Sequence, residues 1–533
     1  MLSDRKFWSS KRIVLVRIDP EVRSSVGPAE SVGATNDRKH SSAMLPLVFL
    51  LAFSAFIAFD RAVISQVPFN VDPGSYAVVS HELLNGKSLY VDIWDHKPPA
   101  VFVAYAAAEL LFGYSPQTLV ILNLLLSIIT LLGIYYAGKA GRGGIVTGLW
   151  AAALWALFSG VFQLEGRDPN TEPFLNACII WAFALLSPDR PNGLDWKTRT
   201  AVALLFLLAS FFKPIIVPIA LCLTCAHILF SPDRRRAVVD GFVFAAIGVI
   251  GWLAMFGYFA ATNRFDVFYK TIILYNRFYS GDTLANVLAP LRGEVEFFPD
   301  IINPIAIFAA VGVIFTVFRS SRQAGLLLAF LGSSWIAIAL PGRFSIHYYQ
   351  LWLPSLIVGS SWAIGYFAAS RDLRLRCVSY AAGVVMMGIV MLGQVASYKS
   401  VLANNWKPAI SALNSDTGTA MRINGMLRPD ESFFLWGNTP NLYLLTGRRP
   451  PAAVLFDTHF IPSPVSELLT DRVKADLERN RPELLVAESG RPPVPDWLLK
   501  DYLPIPVYRD TDPYSFYVRR DGRLAADLNT AQP

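Results

Sequence analysis

The sequence predicts a mainly α-helical, polytopic membrane protein with a small C-terminal α/β domain. Three observations carry this. Of 533 residues, 53% are hydrophobic and only 16% are charged, against about 25% charged in ordinary soluble proteins. Mean hydropathy is +0.41. Long apolar runs alternate with short charged clusters, and the apolar runs cease near residue 396. A soluble multidomain enzyme, a disordered chain and a disulfide scaffold are thereby excluded.

The elements follow in order. Residues 1–43 carry eight Lys and Arg and no apolar core. They read as a cytoplasmic tail, not a cleaved signal peptide. A helix needs about 20 apolar residues to cross the hydrocarbon core. Eleven runs approach that length: 44–62, 117–138, 145–162, 172–187, 199–212, 214–230, 237–261, 301–318, 323–340, 347–369 and 375–396. Lys213-Pro214 splits the fifth from the sixth, because proline ends a helix. Residues 98–113 are apolar but short, and charge settles their placement. If they lie in the interface, five short loops face the cytoplasm. These hold Lys139 and Arg142; Arg190, Lys197 and Arg199; Arg234, Arg235 and Arg236; Arg319 and Arg322; Arg371, Arg374 and Arg376. Cytoplasmic loops are enriched in Lys and Arg, so 98–113 is expected to be an interfacial helix. The expected topology of 44–396 is eleven spans, N-terminus inside, C-terminus outside.

Residues 397–533 are expected to form the outer α/β domain. Ser432–Trp436 and Glu483–Ala487 read as strands and 464–479 as a helix, and Tyr508 and Ser515–Arg519 flank a turn at Asp510–Pro513. The net charge of +7 reads as a topology signal rather than a nucleic-acid one. Cys178, Cys222, Cys225 and Cys377 all lie in apolar runs. Cys222 and Cys225 have CxxC spacing, but packing is the expected role. No disulfide is expected.

With this topology the unusual polar residues gather on one side. The first outer loop holds Phe69-Asn-Val-Asp72-Pro-Gly-Ser-Tyr76, then His81-Glu82, then Asp92-Ile-Trp-Asp95-His96-Lys97-Pro98-Pro99. The second holds Glu165-Gly-Arg167-Asp168-Pro-Asn-Thr-Glu172-Pro173. Lys213-Pro214 and Arg343-Phe-Ser-Ile-His347-Tyr348-Tyr349 follow. Ionisable groups at a membrane edge are costly and usually functional. Carboxylates and cations on one side fit an anionic, phosphorylated ligand. No glycine loop of the nucleotide-binding kind is present.

Four features carry a resemblance over about 44–360: an Asp just after the first span, Asp-His-Lys-Pro-Pro closing the first outer loop, the Asp-Pro-Asn-Thr-Glu-Pro loop, and Gly-Arg-Phe-X-X-His-Tyr-Tyr before a late span. Together they resemble the GT-C glycosyltransferases (families 39 and 83), in the branch of protein O-mannosyltransferases and the lipid A aminoarabinose transferase. The resemblance implies an inner-membrane glycosyltransferase that takes a sugar from a polyprenyl-phosphate donor to a lipid, glycan or protein acceptor on the outer face.

It also implies roles. Asp72 matches the catalytic aspartate, a general base; its local alternative is a helix N-cap. Lys97 matches the lysine on the carrier phosphate, alternatively a snorkelling lysine, and His96 stands beside it. Asp168 and Glu172 both fit the second carboxylate, or a helix cap. Arg343 and Lys213 are candidates for the phosphate. His347, Tyr348 and Tyr76 are candidates for the substrate, or for an aromatic belt.

Residues 263–300 hold Phe265, Phe268, Tyr269, Tyr275, Phe278, Tyr279, Phe297 and Phe298. They suit sugar stacking, a lid or an interfacial helix equally. Trp436–Tyr443 reads as a fold-stabilising turn, with contact to an acceptor as the alternative. No obligatory metal or other cofactor is expected, a scattered Mg²⁺ or Mn²⁺ site staying open, and no nucleic-acid partner. Oligomeric state, sugar and acceptor are not legible. Two readings of other classes compete: a flippase of lipid-linked sugars, which usually shows repeat symmetry, and a non-catalytic membrane scaffold.

Overall fold

The structure is a computed structural model that describes residues 33–65, 69–190, 193–289, 299–405, 416–457, 462–505 and 513–530. The chain divides into two compact units, Met1–Leu47 and Val48–Pro533. The second holds the elements that matter below.

Every expected span meets a helix. The first nine helices are α1 (Gly33–Ile64), α2 (Val71–Leu84), α3 (Ala100–Phe112), α4 (Pro116–Lys139), α5 (Ile145–Phe158), α6 (Thr171–Leu186), α7 (Trp196–Phe212), α8 (Val217–Phe230) and α9 (Arg234–Ala261). Three short helices follow, α10 (Phe265–Tyr269), α11 (Asn276–Ser280) and α12 (Thr283–Leu288), with a π-helical turn at Lys270–Tyr275 between the first two. Then come α13 (Pro299–Val317), α14 (Ser321–Ala339), α15 (Leu353–Ala368) and α16 (Leu373–Asn405). Six stretches among the described residues are long and apolar enough to cross a membrane: Met44–Val63, Pro116–Lys139, Arg234–Ala261, Ser321–Ala339, Ile346–Ala368 and Leu373–Ala396. The other apolar helices are shorter.

Local chemistry sets the boundaries. Asp195 caps α7 by accepting from the Thr198 N–H, Asp233 caps α9 at Arg236, and Ser320 caps α14 at Gln323. Helix α7 stops at Phe212 because Lys213 precedes a proline and adopts an extended conformation, φ −161° and ψ 120°. Helix α9 bares Phe242, Ile250 and Leu253, a face suited to lipid. Helices α6 and α15 are buried almost throughout and form the heart of the bundle.

The C-terminal part folds around a four-stranded sheet of order β1-β2-β4-β3. Strands β1 (Phe433–Trp436) and β2 (Leu484–Glu488) are parallel. Strand β4 (Tyr514–Arg519) pairs antiparallel with β2 and with β3 (Tyr502–Pro504). Helix 466–480 supplies the β1–β2 crossover. Strand β3 lies where no strand was expected, being only three residues long. Tyr508, the turn from Asp510, Phe297 and Phe298 lie outside the described residues.

This α/β module is tied to the first loop. The Trp94 N–H donates to the Ala453 carbonyl at 2.8 Å. Buried Glu82 accepts both ends of the Arg449 guanidinium at 2.8 Å, and Arg472 reaches Asp92 at 3.2 Å. Gly74 of α2 sits so close to the helix Asn441–Thr446 that a Cβ there would lie 1.6 Å from the Asn441 Oδ1.

Candidate active site

The expected polar loops converge on a cleft of about 430 Å³. Asp72, Lys97, His96, Arg343, His347 and Tyr348 line it. Helix α2 begins at Val71, and its cap is Asn70, whose side chain accepts from the Val71 N–H at 2.8 Å. The cap thus falls two residues before Asp72, which is not the helix N-cap. Proline is tolerated in a first turn, so Pro73 does not delay the helix. With the cap role taken by Asn70, the Asp72 carboxylate faces the cleft.

Lys97 stands opposite Asp72, Nζ to Oδ2 3.9 Å. The same Nζ donates to His96 Nε2 at 3.1 Å and lies 5.5 Å from the centre of the Tyr76 ring. Tyr76, fully buried, donates its hydroxyl to Asp72 at 3.3 Å; it backs the site rather than lining it. The Lys97 backbone is fixed at both ends. Its N–H donates to Asp95 at 3.1 Å, and its carbonyl accepts from the Tyr90 hydroxyl at 2.8 Å.

These neighbours set the charge states. Burial pushes the Asp72 carboxyl up, but Lys97, His347, Lys213 and the Tyr76 hydroxyl outweigh it and hold it below the usual carboxylate range. For Lys97 burial works downward, and Asp72 and Asp95 more than offset it, so the ammonium is held above its usual range. Asp95 goes the other way: burial, with Asp72 adding repulsion, raises it despite Lys97.

The second acidic loop divides its residues. Glu172, in the first turn of α6, is fully buried and accepts from Lys213 Nζ at 2.8 Å. That Nζ also sits 3.9 Å from the Tyr348 ring centre. Glu172 and Lys213 therefore form a closed pair behind Tyr348, and neither lines the cleft. Asp168 is also fully buried. It accepts the Asn70 N–H at 3.2 Å and lies 3.5 Å from Arg167. Burial, the largest influence, pushes its carboxyl up to about 7. It anchors the residue that caps α2, from behind.

Glu165 is the residue the sequence reading left without a role. It adopts a left-handed conformation, φ 53°, and so turns back toward the cleft. Its carboxylate accepts the Asn70 amide at 2.7 Å and pairs with His347 Nδ1 at 3.1 Å. The two residues it joins are 95 and 182 positions away, so only its place in a dense Glu-Gly-Arg-Asp run marked it.

The aromatic segment forms a wall. Tyr275 and Tyr279 line the cleft, and Arg343 lies 4.1 Å over the Tyr279 ring while donating to its carbonyl at 3.0 Å. His96 sits 5.4 Å from both tyrosine rings. Phe265, Tyr269, Leu284 and Leu288 of the same segment are exposed. The segment thus has one face on the cleft and one exposed apolar face. Among the described residues no three His, Cys, Asp or Glu side chains gather as a metal-binding group.

No family model matches the sequence, and no curated protein does. Solved structures do match the fold. ArnT from Cupriavidus metallidurans, solved bound to undecaprenyl phosphate, aligns with 90% of this chain and 98% of its own, at 14% identity and a TM-score of 0.55. The Archaeoglobus fulgidus oligosaccharyltransferase, solved with Zn and sulfate, aligns with 83% of this chain and 68% of its own, at 13% identity and 0.48. The arabinofuranosyltransferase AftD from Mycobacteria gives 89% and 40%, 14% and 0.47. The end-to-end likeness to ArnT, with the apolar helices and the module after them, shows that this chain has the GT-C fold, a multi-pass membrane architecture.

Proposed function

We propose that the protein is a membrane glycosyltransferase that moves a sugar from a polyprenyl-phosphate donor to an acceptor on the outer face of the cytoplasmic membrane. One observation carries the reading: a carboxylate and an ammonium, Asp72 and Lys97, face each other across 3.9 Å in the cleft of a GT-C fold. Transfer needs one group to take a proton and another to meet a phosphate.

In this reading an acceptor hydroxyl attacks the anomeric carbon. The new bond is acceptor oxygen to that carbon, and the bond from that carbon to the phosphate oxygen breaks. The proton passes to Asp72, which is ionised at neutral pH because its pKa is held low. The electron pair leaves on the carrier phosphate, where Lys97, with His96 and Arg343, meets the growing charge. His347, oriented by Glu165 through Nδ1, stands in the same wall. Asp168, Glu172 and Lys213 act from behind as positioning residues. These side chains supply the base and the phosphate cations. The exposed apolar face of α10 to α12 supports a site at the membrane edge, where a polyprenyl tail stays in lipid. The arginine-rich loops at 190–199, 234–236 and 371–376 support a cytoplasmic placement of the opposite end.

Binding of undecaprenyl phosphate to the purified protein tests the donor side. The wild type is expected to bind it, and Lys97→Ala to bind about 10- to 100-fold more weakly, the loss of one charge-assisted contact. Equal binding by the two proteins removes Lys97 from the phosphate site.

A further inference from the structure

The cleft has a wall of different chemistry. Three of its lining residues, Asn438, Phe456 and Ser463, come from the α/β module. None is ionisable. On the bundle side stand Asp72, Lys97, His96, Arg343 and His347. We propose that Asn438 and Phe456 form the acceptor subsite, and that the group they hold is an uncharged, hydroxyl-bearing saccharide ring.

The wall is built, not incidental. Asn438 lies just past β1, and its N–H donates to Glu488, the last residue of β2, at 2.6 Å. The cleft therefore lies beyond the C-terminal ends of the parallel pair, the usual place for a ligand on such strands. The Asp457 N–H donates to the Gly437 carbonyl at 2.9 Å, so Asn438 and Phe456 flank one backbone hydrogen bond. Asp457 is itself buried and held by Arg491, with Nε to Oδ2 2.8 Å. Gly437 is packed on Glu488 so tightly that a Cβ would approach its side chain to 2.7 Å. These contacts hold the backbone on both sides of Asn438.

Within it, the Asn438 side-chain amide makes no hydrogen bond among the described residues, although the residue is part-buried. An amide has two donors and an acceptor, a match for neighbouring hydroxyls on one ring. Phe456 offers an apolar face for the ring's C–H groups. Among the described residues of this wall none is a cation; those stand on the bundle side, with the carrier phosphate. The two walls thus divide the substrates by charge.

This inference rests on the glycosyltransferase reading, and the experiment separates the two. A strain lacking the protein is complemented with full-length wild type, Asn438→Ala or Phe456→Ala. Glycans, lipids and proteins are profiled by mass spectrometry, and each purified protein is assayed for undecaprenyl phosphate binding. Product per folded protein is expected to fall roughly tenfold in each variant, the scale of a lost hydrogen bond or ring contact, while undecaprenyl phosphate binding stays at the wild-type level. Asn438→Gln, which keeps the amide, is expected to recover part of the loss. Wild-type product levels in the alanine variants overturn the subsite. So does a parallel fall in undecaprenyl phosphate binding, which would place the residues on the donor side. A product that is a glycosylated protein overturns the saccharide assignment. A wild type that neither binds undecaprenyl phosphate nor changes any glycan overturns the underlying reading instead.

Discussion

Two clusters of buried charge lie at opposite ends of α7, and they are built on different principles. At the start of the helix, Arg199 pairs with Asp240 of α9, which also accepts from His227 Nε2 of α8 at 2.9 Å. Arg322 of α14 donates to His227 Nδ1 at 3.2 Å and to the carbonyls of Leu186 and Pro188 at 2.8 and 2.9 Å. His227 is thereby fixed as the neutral Nε2–H tautomer, with each ring nitrogen answered by one partner. At the other end, roughly 25 Å along at 1.5 Å per residue, Lys213 leads into the charges of the candidate site. There Asp72 and Lys97 sit 3.9 Å apart, too far for a hydrogen bond, and both face a cleft. One cluster pairs each of its charged groups and clamps four helices, the Arg322 Nε alone among its nitrogens being buried without a hydrogen bond among the described residues. The other keeps some open. Satisfaction of the charges, rather than their burial, separates a clamp from a site.

Substitutions at each end break or sharpen this contrast. The largest effect is expected from Asp72→Asn, which keeps shape and removes the proposed base. Transfer per folded molecule should fall about 100- to 10,000-fold, the usual contribution of general-base catalysis, with thermal unfolding close to wild type. Full activity would remove Asp72 from the base role. The converse is expected at the clamp. Asp240→Asn leaves Arg199 and His227 without their anion and should cost about 3 kcal/mol or more of stability, as breaking a buried pair does. Its turnover per folded molecule should stay near wild type. A loss of turnover matching Asp72→Asn, without a loss of stability, would make the clamp a functional site.

The smallest effect is expected from Asp168→Asn. The fold raises this carboxyl from 3.8 to about 7. The native state therefore holds a proton that the unfolded chain gives up between those values. Stability from this group is greatest below pH 3.8, falls as pH rises through the window, and is level above about 7. The asparagine variant lacks that titration. Its unfolding temperature should gain on the wild type from pH 4 to pH 7. A constant difference would show that Asp168 does not change protonation on folding.

The sequence was informative about what is local. Apolar runs marked the helices, and Lys213-Pro214 marked the break between α7 and α8. The loops that build the cleft were singled out by charges stranded at the ends of apolar runs. What it did not carry was closure. Nothing in Asp168 or Glu172 tells that one is sealed against the Asn70 backbone and the other against Lys213, 41 residues on. Glu165 and His347 meet only because the 3-10 turn Ile346–Trp352, just before α15, packs beside the second loop, with Gln350 donating to the Leu164 carbonyl at 2.8 Å. The turn at Trp436–Tyr443 read as a fold-stabilising feature. Glu488 does stabilise it, and that leaves the Asn438 side chain facing the cleft.

The contact between Gly74 and Asn441 has a consequence for anyone recombining such proteins. The module looks like a cassette, a self-contained sheet added after a helical bundle. Yet its seat is the first turn of α2, two residues from Asp72. A chimaera that brings in a foreign module inherits a foreign neighbour at position 441, and any mismatch there would be transmitted to the carboxylate along a single turn of helix. The unit of exchange is therefore the module together with residues 69–74, and the proposed acceptor wall and the proposed base would have to be recombined as one inheritance.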